Sequence, residues 1–286
     1  MTTNAQKTLA ARAAIVGTAL AAFSALPCAV SASIIYQDSF SGSSTLGSLN
    51  GAAPTTGPSG STWTASTSSS YGWSDSGYTS DQSASARQVA YLAFTPAPGH
   101  VYTLTAGLDV TGTGSSSTPA SSDGNYWAAL GYVTTLSTQN FWDGATNFGP
   151  PGGGGASPWV LSGYKAANDA VFQGPGTAGG QGFAPGITSG VNTYSIVLNT
   201  GSAAYSYQVF LTNSANTNLK VGWGTFGTNT NPNNPVIKAV GLENGLGIAQ
   251  VTDFSLTEQA VPEPATLGLV ALGGLGLLFL KRRKAV

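Results

Sequence analysis

The chain has 286 residues; 7% are charged, 10% are aromatic, 39 are glycine, and the formal net charge is −1. So few cations exclude the basic footprint that nucleic-acid binding requires. A single cysteine excludes a disulfide framework, and low net charge with ample aromatics argues against a disordered chain.

Lys7 and Arg12 precede an apolar stretch, residues 13–26, that Pro27 breaks. A positive start, a short apolar run and the small residues Val30-Ser31-Ala32 predict a signal peptide over residues 1–32. The stretch is too short to span a bilayer comfortably. Cys28 makes no lipobox, because Ala25 and Pro27 stand where a Leu and a small residue are needed. Residues 33–260 are then one cargo domain, with Arg87, Lys165, Lys220 and Lys238 against ten acids, a net charge of −6.

Within the cargo, strands show by alternation. Tyr102, Leu104, Ala106, Leu108 and Val110 fall on one face and Thr103, Thr105 and Asp109 on the other, the mark of a half-buried strand. Tyr194, Ile196 and Leu198 repeat the pattern, as do Tyr205, Tyr207, Val209 and Leu211. Weaker candidates cover residues 34–40, 89–94, 126–133, 236–242 and 248–256. Turn-rich segments separate them, the longest over residues 144–182 with Pro150-Pro151 and the four glycines 152–155. A connection of that length predicts a further short strand near residues 159–161 or a functional or mobile loop.

About nine strands and no helical period in the cargo predict an all-β fold, two antiparallel sheets packed as a jelly-roll β-sandwich. The opening Tyr36-Gln37-Asp38-Ser39-Phe40 and the closing Val251-Thr252-Asp253-Phe254-Ser255-Leu256 fit terminal strands lying side by side. With Tyr91-Leu92-Ala93-Phe94-Thr95-Pro96, they make the cargo resemble the concanavalin-A/laminin-G-like sandwiches.

Some sandwiches of that kind hydrolyse glycans with a Glu-x-Asp-x-x-Glu pattern, which needs two acids about 5 to 9.5 Å apart. Glu243 and Glu258, the cargo's two glutamates, do not sit in it. His100, the single histidine, follows Pro98-Gly99 in a turn, and no nucleophile elbow occurs. One histidine and no cargo cysteine make zinc implausible. Calcium accepts scattered loop oxygens; Asp38 and Asp253, which can meet through the terminal strands, are its candidate ligands. Asp75, Asp81, Asp123 and Asp143 fall in loops, and the competing role for all six is turn formation.

The aromatic residues are the remaining lead. Trp63, Trp73, Trp142, Trp159 and Trp223 lie in or beside Gly/Ser-rich segments, whereas Trp127 falls inside a strand. Tyr71-Gly72-Trp73 and Asn140-Phe141-Trp142-Asp143 combine a stacking face with polar neighbours, so Trp142, Trp73 and Tyr71 are the candidate sugar-stacking residues. The competing role is a tryptophan folded back to cap the core.

After the cargo come Val261-Pro262-Glu263-Pro264, an uncharged Leu-rich run over 265–280, and Lys281-Arg282-Arg283-Lys284. As a transmembrane helix the run rises about 24 Å, short of a hydrocarbon core of about 30 Å, so the cations must snorkel. They act as a stop-transfer signal and stay cytoplasmic, which places the cargo outside. This order resembles the PEP-CTERM sorting signal, with Pro262, Glu263 and Pro264 as the sorting motif. The resemblance implies recognition by an exosortase and the export machinery of a Gram-negative bacterium. It also implies transient anchoring in the membrane, then release to the cell surface or an extracellular polysaccharide matrix.

The expectation is therefore an exported, non-enzymatic surface or matrix protein with a candidate polysaccharide-binding sandwich and no cofactor beyond the calcium candidate. The alternatives are a structural or adhesive protein without glycan binding, a glycan-active enzyme with an unrecognised site, and an ice-binding protein. Against the last, Thr103-Leu104-Thr105 is isolated in the sequence.

Overall fold

The computed structural model describes residues 31–70, 72–81, 88–109, 128–134, 136, 156–162, 169–173, 182–185, 190–226, 234–244 and 247–261. The expected signal peptide up to Val30, and the tail from Pro262 onward, lie outside them. Among the described residues there is no helix, and none long and apolar enough to cross a membrane.

Among the described residues, fourteen strands form two antiparallel sheets. The first runs in the order β1 (Ser33–Asp38), β14 (Gly247–Ala260), β5 (His100–Asp109), β10 (Asn192–Asn199), β11 (Ser206–Thr212) and β12 (Leu219–Thr225). The short β3 (Tyr78–Asp81) pairs with the start of β14. The second sheet has the order β2 (Thr64–Ala65), β4 (Gln88–Ala93), β13 (Ala239–Asn244), β6 (Ala128–Val133), β7 (Ala156–Ser162), β8 (Asp169–Gln173) and β9 (Gly182–Pro185). From β1 to β6 each strand crosses to the opposite sheet, and β13 and β14 cross again, which winds the chain as a jelly-roll sandwich. Residues 32–259 make up this unit.

The alternation read from the sequence is what fills the core. Tyr102, Leu104, Ala106 and Leu108 of β5, Tyr194, Ile196 and Leu198 of β10, and Tyr207, Val209 and Leu211 of β11 are all buried in one cluster. They meet Ala90, Leu92, Leu130, Tyr132, Val160, Val240 and Leu242 from the second sheet. Removing such side chains from water stabilises the fold by about 1.5 to 3 kcal/mol each.

The terminal strands do lie side by side, with Tyr36 opposite Leu256 and Asp38 opposite Phe254. Strand β14 changes partner along its length: residues 247–250 pair with β3 and residues 254–258 with β1. At the change Asp253 has a φ of 51°. Val251 and Phe254 consequently both face the core although they are three residues apart. A bulge of this kind re-aims a strand between two partners.

Several expectations shift. The expected loop over 144–182 contains β7 and β8, with β7 covering the expected short strand near Trp159. Strand β13 starts at Ala239, three residues later than expected, and Val236 is solvent-exposed. Strands β2, β3, β8, β9 and β12 have no counterpart among the expected strands. The first two are only two and four residues long, too short to show a period. In β12 a register shift and two glycines break the alternation.

Candidate functional site

Tryptophans near glycine-rich segments have opposite fates in this fold. Trp63 is buried against Phe254 and Phe40, with ring centroids 5.0 and 5.9 Å away, and its indole nitrogen donates to Asp38 Oδ2 at 2.7 Å. Trp73 is 0% exposed, and its indole nitrogen donates to the Gln88 carbonyl at 3.2 Å. Its segment tucks in because Gly72 has no side chain: a Cβ there would lie 2.6 Å from the Ser68 carbonyl oxygen. An indole with no accessible face cannot stack a sugar, so Trp73 is a core cap and not the binding residue expected. Trp159 is also buried, on β7. Tyr71, Trp127 and Trp142 lie outside the described residues.

Trp223 is the exception. It is 67% exposed on β12, the edge of the first sheet, and sits opposite Gln208 on β11. Cross-strand partners share a face, so the register aligns outward rows over β5, β10, β11 and β12. One row holds Thr103, Val197, Gln208 and Trp223; the next holds Thr105, Ser195, Phe210 and Lys220. Thr105 Oγ1 and Ser195 Oγ are 2.9 Å apart. Thr103 and Thr105, isolated in the sequence, thus join the Ser195 hydroxyl and the Gln208 amide contributed by neighbouring strands.

Lys220 belongs to this face only because of the register shift between Val209 and Phe210. Regular alternation would put residues 220 and 223 on opposite faces. Val221 is instead the extra residue and turns inward, which leaves Lys220 and Trp223 both exposed. The Lys220 ammonium lies 5.0 Å from the Trp223 ring centroid, within cation–π range.

The carboxylates are dispersed. Asp38 is buried: besides the Trp63 bond, its Oδ1 accepts from the Phe40 amide at 2.9 Å and from Thr55 Oγ1 at 3.4 Å. Asp253 adjoins Asp38's strand partner but is exposed, while Asp38 points inward. The terminal strands bring the two backbones together but not the two carboxylates. Asp75 is the acid that feels Asp38: partial burial, then repulsion from Asp38, push its carboxyl above the usual range, against a backbone hydrogen bond from Ser43. His100 Nδ1 is 2.9 Å from Glu258 Oε1, which also accepts from the Tyr102 hydroxyl at 3.0 Å.

Glu243 is 0% exposed in β13, on the face of the second sheet turned away from the main core. Its cross-strand partners there are Val89 and Ala129. Strands of this sheet carry one other acid, Asp169, at the start of β8. Three strand spacings separate β13 from β8, about 14 Å, beyond the about 5 to 9.5 Å that paired-acid glycoside hydrolysis uses.

Comparison with known proteins bears first on the tail. Residues 260–284 match the PEP-CTERM protein-sorting motif. The matched span includes Pro262, Glu263, Pro264 and the basic cluster 281–284, so the chain carries the sorting signal its sequence resembles. No curated protein matches the chain. Solved structures similar to it are lectin and glucanase β-sandwiches. An endo-1,3-β-glucanase from Streptomyces sioyaensis is 13% identical, with 82% of this chain and 99% of that one covered and a TM-score of 0.49. Lectin II from Ulex europaeus is 10% identical, over 70% and 92% of the two chains, with a TM-score of 0.39. The VIP36 exoplasmic/lumenal domain in its Ca2+/Man-bound form is 11% identical, over 76% and 90%, with a TM-score of 0.38.

Proposed function

We propose that the chain is an exported, exosortase-processed protein of the cell surface or matrix, whose sandwich binds polysaccharide and performs no chemistry on it. The sorting motif at 260–284 supports the destination. The exposed Trp223 indole, set beside Gln208 on a face that also carries the hydroxyls of Thr103, Thr105 and Ser195, supports the ligand class. A sugar ring offers C–H groups to an aromatic face and hydroxyls to a neighbouring amide. The separation of Glu243 from Asp169 supports binding without hydrolysis. Calcium has no part in this reading, because the oxygens of Asp38 are committed to Trp63, Phe40 and Thr55.

The test is retention of the full chain, purified in a zwitterionic detergent, on a panel of insoluble and gel-embedded polysaccharides. Retention that survives a calcium chelator, with no release of reducing ends, is the expected result. Failure to bind any polymer, with and without added calcium, overturns the reading in favour of a structural or adhesive protein.

A further inference from the structure

Strands β10, β11 and β12 together carry one charged residue, Lys220. It is exposed, and the β12 register shift brings it to the face that holds Trp223. The surrounding outward side chains are neutral: Gln208, Phe210, Ser195 and Val197. The rest of the sandwich is electronegative, since residues 33–260 have four cations against ten acids. A polyanion is therefore repelled by the domain's net charge and meets, on this face, a cation that is the only charged residue of strands β10 to β12, beside an exposed aromatic plane.

We propose that the Lys220–Trp223 pair is a subsite for acidic polysaccharide, in which a uronate residue lays its ring against the indole and its carboxylate on the ammonium. This deepens the polysaccharide reading and rests on it. Geometry and charge select the ligand together. The ammonium lies over the indole, 5.0 Å from its centroid, so an incoming uronate draws the flexible lysine off the ring onto its carboxylate and takes its place against the plane. Gln208, directly opposite Trp223, is placed to hydrogen-bond a ring hydroxyl. A neutral polymer gains the stacking contact alone, and an acidic peptide gains the ion pair alone.

The experiment compares polygalacturonate with its fully methyl-esterified form, which keeps the sugar backbone and masks the charge. The full chain is titrated with both polymers at low and high salt. Polygalacturonate is expected to bind about fivefold or more tighter at low salt, and the advantage should fade as salt screens the carboxylate. Lys220→Gln should abolish that preference. Trp223→Ala should weaken both polymers about tenfold or more, which is about 1.4 kcal/mol. Both side chains are exposed, so unchanged melting temperatures will show that the variants remain folded. Equal affinity for the two polymers, or a preference that survives Lys220→Gln, overturns the subsite while neutral binding keeps the broader reading. Lack of binding to these and all neutral polymers overturns both.

Discussion

Asp38 Oδ2 accepts a 2.7 Å hydrogen bond from the Trp63 indole nitrogen inside the sandwich, and thereby ties the first strand to the segment leading into β2. The same carboxylate also takes the Phe40 amide, where φ is 50°, so it holds the sharp turn that ends β1. A buried charge with this many donors is stabilising only while they stay in place.

Asp38→Ala strands the Trp63 and Phe40 donors in the core and should cost about 1.5 to 3 kcal/mol or more. Asp38→Asn keeps an acceptor and should cost less. Chemical denaturation of the two variants checks this; an Asp38→Ala loss no larger than that of Asp38→Asn would show that the acceptor is not what matters.

Leu104 and Thr105 test the two faces of β5. Leu104 is buried, so Leu104→Ala should cost about 2 to 5 kcal/mol. Thr105 faces outward and shares one bond with Ser195, so Thr105→Ala should cost about 0.5 to 1.5 kcal/mol. Equal losses at both positions would contradict the assignment of faces.

Asp75 should make the fold less stable as acid is neutralised. Its folded pKa is raised, chiefly by burial and then by Asp38. The folded state thus holds that proton more tightly than the unfolded chain. The associated stability is fully present below the unfolded value of 3.8 and is lost as pH rises through the raised folded value. Asp75→Asn should remove this loss and raise the melting temperature at neutral pH relative to wild type. A variant whose melting temperature tracks wild type from acid to neutral pH would contradict the coupling.

Alkali should act through the buried tyrosines. Burial raises Tyr102 and Tyr207 from 10.0 to about 12, and pushes Tyr132 and Tyr194 up as well. The unfolded chain therefore gives up these protons first, and stability should fall as pH rises from 10 toward 12. The last tyrosinate absorbance to appear should then rise together with the loss of the β circular dichroism signal. Full tyrosine ionisation before any loss of β signal would contradict their burial.

Sorting should depend on Glu263 separately from the basic cluster. Glu263→Ala should leave membrane insertion intact and block processing at the matched motif. Deleting residues 281–284 should instead let the tail slip through the membrane. Mass measurement of the mature protein from its native host provides the check, and a product that still carries residues 265–286 in the presence of the exosortase rules out processing.

Features that depend on local order are legible along the chain. Period-two alternation in β5, β10 and β11 specifies which side chains are buried, because successive strand residues must face opposite ways. The sorting tail is legible for a similar reason: a motif, an apolar run and a basic cluster act through their order along the chain. The pairing of first and last strands was also readable, since both carry inward aromatic or aliphatic residues that need a common core. Other features follow from how distant segments pack. Trp73 and Trp223 stand in comparable glycine-rich surroundings, yet one is a core cap and the other an exposed plane. Their difference comes from Gly72 allowing close backbone approach and from β12 lying at a sheet edge. The candidate site depends on a register shift that places Lys220 beside Trp223, and on Gln208 from another strand. Such a site arises from pairing between distant segments, and a register shift reverses the face of every residue beyond it.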